Sequence, residues 1–286
     1  MRVYETSDIR NVALAGHGHS GKTSLAAALL YTSGATNRLT RVDEGNTITD
    51  YDEEEINRKL TISTKIAAAE WNRKKINILD TPGFNMFMAD TKSALVAAEA
   101  MLIVVDGVAG VEVQTERVWN FADEYHLPRA IVIDKLDRER SSFERSLANA
   151  QEVFGRSVVP IELPIGSEKD FQGVIDLVTM RAYIYSPDGN GKGRECDIPA
   201  NMADEARAAH EALVEMVAEG KDENSVVLIS DSDFINDGAA VNIQEIFGQR
   251  IVVPANSNLS FAQALIEQFA GDPALIDLRT RAIAAR

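Results

Sequence analysis

The sequence predicts an α/β fold, a mostly parallel sheet with helices on both faces. Three observations carry the prediction. Apolar strand-like runs alternate with helix-like stretches from the first residues onward. The run Ala100–Asp106 is apolar at consecutive rather than alternate positions, as in a strand buried on both faces. A glycine-rich turn joins the first apolar run to a helical stretch. An α+β insertion and a small α/β C-terminal segment follow this core.

The elements read in order as follows. Asn11–Ala15 is a short strand, and Lys22–Thr32 is a helix after the glycine-rich turn. Residues 37–60 are polar and acidic without periodicity, which predicts a long mobile loop. Thr61–Trp71 and Ile76–Asp80 form a hairpin turning at Arg73–Lys75. Asn85–Glu99 is a helix, Ala100–Asp106 a strand, Val111–His126 a helix and Ala130–Asp134 a strand. Ser141 is the expected N-cap of a helix ending at Phe154. Beyond it the texture changes. Val158–Leu163 and Phe171–Tyr185 read as strands of an insertion, Ser186–Arg194 as a Gly-rich loop and Pro199–Glu219 as an alanine-rich helix. Then come a strand at Val226–Ser230, a polar turn at Asp231–Gly238, a strand at Ile251–Pro254 and a helix at Ser260–Ala270. The expected division is a core over 1–156, an insertion over 157–220 and a C-terminal segment over 221–286.

Composition bounds the function. The 286 residues carry a net charge of −15 with 45% hydrophobic and 26% charged residues, the balance of a soluble globular chain. Such acidity excludes general nucleic-acid binding by this chain alone, because phosphate neutralisation supplies most of that affinity. Cys196 is the single cysteine, so no internal disulfide can form, and a reducing cytoplasm is expected. The charged N-terminus does not read as a secretory signal, and no apolar run approaches the ~20 residues of a membrane helix.

Residues Gly16-His17-Gly18-His19-Ser20-Gly21-Lys22-Thr23 match a P-loop, which makes the core a P-loop NTPase fold. Glycines let successive backbone N–H groups turn inward onto phosphate oxygens. Lys22 places a positive charge on the outer phosphates, the Thr23 hydroxyl is set to ligate Mg²⁺, and the helix running on through Ser24 adds its positive end. His17 and His19 read as loop residues beside a phosphate site rather than as a metal pair.

Three further signals follow. Asp80-Thr81-Pro82-Gly83 closes an apolar strand; such a DxxG supports Mg²⁺ through a water on Asp80 and meets the last phosphate through the Gly83 N–H. Thr61 suits a switch threonine whose hydroxyl reaches Mg²⁺ when a γ-phosphate is present, and equally suits an ordinary strand-opening threonine. Asp134-Lys135-Leu136-Asp137 follows a strand, where Asp137 would accept from the guanine N1–H and amine while Lys135 packs over the base.

With these elements in order, the chain resembles the G domain of elongation factor G and its elongation-factor-G-like paralogues over about residues 8 to 220. The likeness includes Arg10–Leu30, Asp43–Asp50, Ser93–Trp119, Asp137–Arg145 and Val158–Met180, the last resembling the opening of that family's G′ insertion. It implies GTP/GDP and Mg²⁺ binding, switch motion and ribosome-linked hydrolysis. It carries over onto Lys22, Thr23, Thr61, Asp80, Gly83, Lys135 and Asp137, with Lys22, Thr61 and Gly83 as the catalytic set and Thr23, Thr61 and Asp80 around the metal. Departures are Phe84 in place of a water-positioning histidine, His19 in place of a P-loop aspartate, and Asp134 in place of a base-contacting asparagine. A fourth is the lack of a recognisable guanine-contact loop after the insertion. Phe84 cannot donate or accept a hydrogen bond, so hydrolysis is expected to be slow or to depend on a partner. Asp134 cannot donate to guanine N7, so affinity is expected to suffer. The stretch from Ser225 to Phe234, with Asn258–Leu278, resembles the C-terminal part of auxiliary proteins of ABC-type transport and gliding-motility systems. Asp231 and Asp233 within it read as a solvated turn. The competing functional reading is a non-enzymatic interaction module with a partial nucleotide site.

Overall fold

A computed structural model describes residues 3–185, 193–219, 226–229, 242–246 and 249–253. The core elements are β1 (Ile9–Gly16), α1 (Lys22–Thr32), α2 (Glu53–Arg58), β2 (Lys65–Trp71), β3 (Lys74–Asp80), α3 (Met88–Leu95), β4 (Ala100–Asp106), α4 (Val113–Tyr125), β5 (Arg129–Asp134) and α5 (Phe143–Phe154). After them come β6 (Val159–Pro160), β7 (Glu162–Ile165), β8 (Gly173–Asp176), β9 (Arg181–Ile184), β10 (Arg194–Cys196), α6 (Ala203–Glu219) and β11 (Val226–Ile229).

The main sheet has seven strands in the order β2-β3-β1-β4-β5-β11-β6, and every described pairing in it is parallel except that of β2 with β3. The burial follows from position. β4 and β5 are central and covered on both faces, so all six residues of β5 are buried. Edge strand β2 alternates buried and exposed residues, with Ala67, Ala69 and Trp71 turned to the core. Leu14, Met101, Ile103, Ile131 and Ile133 fill the centre at under 2% exposure. Truncating any one of them to alanine should cost about 2–5 kcal/mol.

Some elements differ from the sequence reading. The stretch 37–60 is not a bare loop: it carries the short helix α2 and buries Thr47, Thr49, Asp50 and Glu55. Glu55 explains why. Its carboxylate accepts from the N–H groups of Ile62 and Ser63 and pairs with Lys65 at 3.2 Å, fastening the end of the stretch to β2. The hairpin turns one residue earlier than expected, on Asn72 and Arg73, both left-handed, as a two-residue primed turn requires. Asn85–Phe87 is a 3₁₀ turn leading into the shorter α3, and α4 begins at Val113 after the N-cap Glu112, which forms a capping box with Thr115. The cap of α5 is Ser142, not Ser141: Ser142 Oγ accepts from Arg145 N–H, while Ser141 Oγ donates to Leu136 O and ties down the preceding loop.

The insertion is a separate four-stranded sheet, β10-β9-β8-β7, antiparallel throughout, followed by α6, which starts four residues later than expected. Strand β11, placed by the sequence at the head of the C-terminal segment, pairs between β5 and β6 in the main sheet. Ile229 sits level with Ile133, so β11 ends at the edge where Asp134 leaves the sheet. Asn242–Ile246 (β12) and Gln249–Val253 (β13) form an antiparallel hairpin, where only a strand at Ile251–Pro254 was expected. The expected Gly-rich loop Ser186–Arg194 lies outside the described residues except for Gly193 and Arg194, the latter opening β10, and the turn with Asp231 and Asp233 and the helix Ser260–Ala270 lie wholly outside. Among the described residues no helix is long and apolar enough to cross a membrane.

Candidate phosphate and metal site

The site lies at the carboxyl end of the parallel strands, where open α/β sheets place ligands. Gly16 ends β1 with φ 141°, and a methyl there would run into Val104 O of β4, so only glycine lets the chain turn so close to the neighbouring strand. The loop then reaches Gly21, also left-handed, and enters α1 at Lys22. The first N–H groups of α1 have no intrahelical partner and carry its positive dipole end.

Lys22 is buried, its ammonium donating to His17 O at 2.6 Å and Gly16 O at 3.3 Å. Burial pulls its pKa down to about 8, opposed mainly by the charge of Asp80. Asp80 ends β3 fully buried. Burial pushes its carboxyl up to about 6, although the nearby hydroxyls of Thr49 and Thr23 favour the charged form. Neither Asp80 oxygen has a hydrogen bond of proper geometry. Gly83 lies against the same loop, since a Cβ there would strike Lys22 Nζ and His17 O. Thr81, which bonds Leu14 O, and Thr91, which bonds Pro82 O, fix this DxxG turn in place.

Thr61 comes from the far end of the 37–60 stretch, and its hydroxyl meets that of Thr23 at 3.0 Å. The same hydroxyl donates to Asp50 Oδ1 at 3.0 Å. Asp50 is 4% exposed and was not among the expected site residues; burial, the largest influence, raises its pKa, with the Thr61 hydrogen bond acting against it. The signal that could have found it is its place at the end of the elongation-factor-G-like stretch 43–50. A cleft of about 370 Å³ opens here, lined among others by Lys22, Thr23, Asp50, Thr61, Phe84 and Lys135. Ser24, His19 and Gly18 also face it, while Ser20 is buried beneath with its hydroxyl unpartnered.

Two hydroxyls, of Thr23 and Thr61, and two buried carboxyls, of Asp50 and of Asp80 with both its oxygens orphaned, are a hard, all-oxygen donor set, the chemistry that suits Mg²⁺. The residues present fit that ion. Among the described residues no group of three or more His, Cys, Asp or Glu side chains could hold a metal, so the threonine hydroxyls are needed to complete any site here. His17 turns away from the oxygen set and reaches Glu112 at 3.5 Å.

The base-side residues are placed less uniformly. Lys135, left-handed at φ 63°, sends its ammonium to His19 O and to Asp106 at 2.7 Å, lashing the base-side loop to the phosphate loop. Asp106 is held below the usual carboxylate range: burial raises it, and the Lys135 hydrogen bond with the Val108 and Ala109 N–H groups outweighs that. Asp134 is buried at 1% exposure, accepts from Lys135 N–H, and lies so close beneath Gly21 that a methyl there would collide with Oδ2. It therefore backs the phosphate loop rather than lining the cleft. Asp137 is exposed, outside the residues that line the phosphate cleft.

A glycine-turned phosphate loop, a buried lysine and a threonine brought in from a separate segment define the class: a nucleotide-binding domain of the P-loop kind. Comparison with known proteins specifies it. The family description "Elongation factor Tu GTP binding domain" matches residues 7–266, and the chain belongs to that family. The match runs beyond residue 220, where the likeness was expected to end. The chain is 39% identical over 209 residues to an elongation factor G-like protein of Thermotoga maritima, covering 73% of this chain and 29% of the relative. It is 37% identical over 218 residues to elongation factor G of Thermotoga sp. strain RQ2, covering 76% of this chain and 31% of the relative. It thus spans under a third of these relatives' length. A crystal structure of a Thermus thermophilus protein superimposes with a TM-score of 0.76 at 29% identity, over 91% of this chain and 40% of that one.

Proposed function

We propose that this chain is a guanine-nucleotide switch: it binds GTP or GDP with Mg²⁺ and hydrolyses GTP slowly unless a partner assists. The observation that carries the reading is the 3.0 Å contact between the hydroxyls of Thr23 and Thr61. One belongs to the helix that follows the phosphate loop and the other to a separate segment, so the two hydroxyls are brought together where one metal ion could take both. Lys22 and the loop N–H groups would hold the phosphates, and Thr23 and Thr61 would hold the metal. Asp80 would support the metal site from behind, and the Gly83 N–H would meet the last phosphate. Mg²⁺ held there would supply charge neutralisation of the phosphates. Phe84 offers no hydrogen bond to an attacking water, so turnover rests on positioning and electrostatics. Asp137 and Lys135 supply guanine preference. By analogy with relatives named elongation factor G, the partner that speeds hydrolysis is the ribosome.

The test is a titration of fluorescent mant-GDP and mant-GTP with and without Mg²⁺. Saturable, guanine-selective binding at micromolar or tighter concentration is expected. Absence of saturation at millimolar nucleotide, or a preference for ATP, would overturn the reading.

A further inference from the structure

His19 occupies an unusual place. It belongs to the phosphate loop, yet its side chain is exposed and lines the cleft. Its backbone is left-handed at φ 62°, a conformation that glycine adopts without strain and a side chain does not. Its carbonyl is held by the Lys135 ammonium. Its imidazole packs edge-on against the ring of Phe84, with centroids 5.1 Å apart and planes at 86°. Phe84 in turn lies flat against the loop, because a Cβ on Gly18 would come within 2.8 Å of its ring. The imidazole nitrogens make no hydrogen bond to any described residue.

The pair sits at a defined end of the cleft. Phe84 directly follows Gly83, and Gly83 abuts Lys22 Nζ. With Lys22 and Gly83 meeting the outer phosphates as proposed above, this is the end of the cleft that would take the last phosphate of a triphosphate and no atom of a diphosphate. An unpartnered imidazole there has an N–H to offer a phosphate oxygen. Such a charge-assisted bond is about twice as strong as a neutral one.

We propose that the His19 imidazole hydrogen-bonds the terminal phosphate of a bound nucleoside triphosphate and so sets the preference for triphosphate over diphosphate, with Phe84 as the surface that orients the ring. The inference rests on the nucleotide-binding reading above. It also assigns Phe84 a role: the phenyl ring gives up hydrogen bonding to the nucleotide and serves as a rest for a neighbouring side chain that retains it.

The experiment measures affinity of the intact chain, with Mg²⁺, for mant-GDP and for a mant-labelled non-hydrolysable GTP analogue. If the unmodified chain binds neither, the nucleotide reading itself fails, whatever His19 does. If it binds both, His19→Ala should weaken the triphosphate analogue about tenfold and leave GDP within about twofold. His19→Gly, which relieves the left-handed strain, should show the same selective loss in a chain whose circular dichroism is unchanged. His19→Gln, with an amide donor, should restore most of the preference. Phe84→Ala should shift the ratio in the same direction by a smaller factor. Equal weakening of both nucleotides, an unchanged ratio in His19→Gly, or full preference in His19→Phe would overturn the proposal.

Discussion

The phosphate cleft and the insertion sheet both bury ionisable side chains, and they handle them in opposite ways. In the cleft, Lys22 and Asp80 are out of water, with Asp80 lacking any well-formed hydrogen bond and Lys22 bonded only to two loop carbonyls. In the insertion, Glu162 of β7 stands directly opposite Asp176 of β8, both buried. Asp176 is provided for, accepting from the N–H groups of Val178 and Thr179 and from the Thr179 hydroxyl. Glu162 meets burial first and the Asp176 charge second, and both push its pKa well above the ordinary glutamate value. The contrast separates two meanings of a buried charge. Around the cleft, Lys22 lines the cavity and Asp80 lies buried behind it without a well-formed hydrogen bond, so neither charge is settled by a neighbouring side chain of opposite sign in the way a structural ion pair would be. In the insertion, burial and the neighbouring Asp176 charge both favour the protonated form of the awkward carboxyl.

The largest effect that would sharpen this comparison is expected at Lys22. Lys22→Met preserves most of the stem volume and removes the ammonium. Nucleotide affinity should fall roughly a hundredfold or more, because a buried phosphate charge loses its partner. Thermal stability of the free chain at neutral pH should not fall, since burial already opposes the lysine charge. Titration with mant-GDP alongside a melting curve checks both halves. A variant that binds normally would mean that the cleft does not use this lysine for phosphate.

Next in size is Asp80→Asn, which keeps the shape and removes the capacity for negative charge. The Mg²⁺ concentration needed for half-maximal nucleotide binding should rise about 10- to 100-fold, the usual effect of disturbing a group that supports a metal. The free variant should be at least as stable as the parent around neutral pH. The sign follows from the raised pKa of about 6: as pH climbs from the ordinary aspartate value through that point, the unfolded chain loses its proton first and the fold is penalised. An unchanged Mg²⁺ requirement would make Asp80 a buried acid of the same kind as Glu162, and the comparison would fail.

What could be read in advance divides along the same physical line. The phosphate loop, the DxxG turn and the Asp134–Asp137 motif are local: fixed spacings of glycine, lysine and carboxylate after apolar strands. The uninterrupted apolar run of β4 was legible for the same reason, whereas the burial of β2, with Lys65 buried and Ile66 exposed, was not, and β2 begins at Lys65 rather than at Thr61. The order within residues 37–60 was not, because it arises from contacts over distance. Glu55 holds backbone seven and eight residues on, and Asp50 reaches Thr61, with no periodicity in between to signal either. Asp134 shows the limit of motif reasoning. Its position after β5 suggested contact with a base, whereas its carboxylate packs under Gly21, a tertiary approach that spacing cannot express. Likewise, two adjacent serines both suit a helix cap, and only the bond from Ser141 to Leu136 O leaves the role to Ser142.

The smallest expected effect tests the other half of the comparison, at Glu162. A carboxyl whose folded pKa is raised binds its proton more tightly in the folded chain than in the unfolded one. Below the ordinary glutamate value both states are protonated and no penalty exists. As pH rises through that value the unfolded chain ionises while folded Glu162 does not, so stability falls with rising pH. Glu162→Gln is neutral at every pH and escapes this loss. The variant and the parent should therefore melt together near about pH 4 and diverge upward, the variant becoming the more stable of the two as pH rises to 7. Chemical denaturation across that range, without nucleotide, reads the difference directly. Nucleotide affinity should not change, because β7 lies in the insertion sheet and outside the residues that line the cleft. A pH-independent difference would mean that Glu162 is ionised and paired in the fold. The insertion would then store charge just as the cleft does.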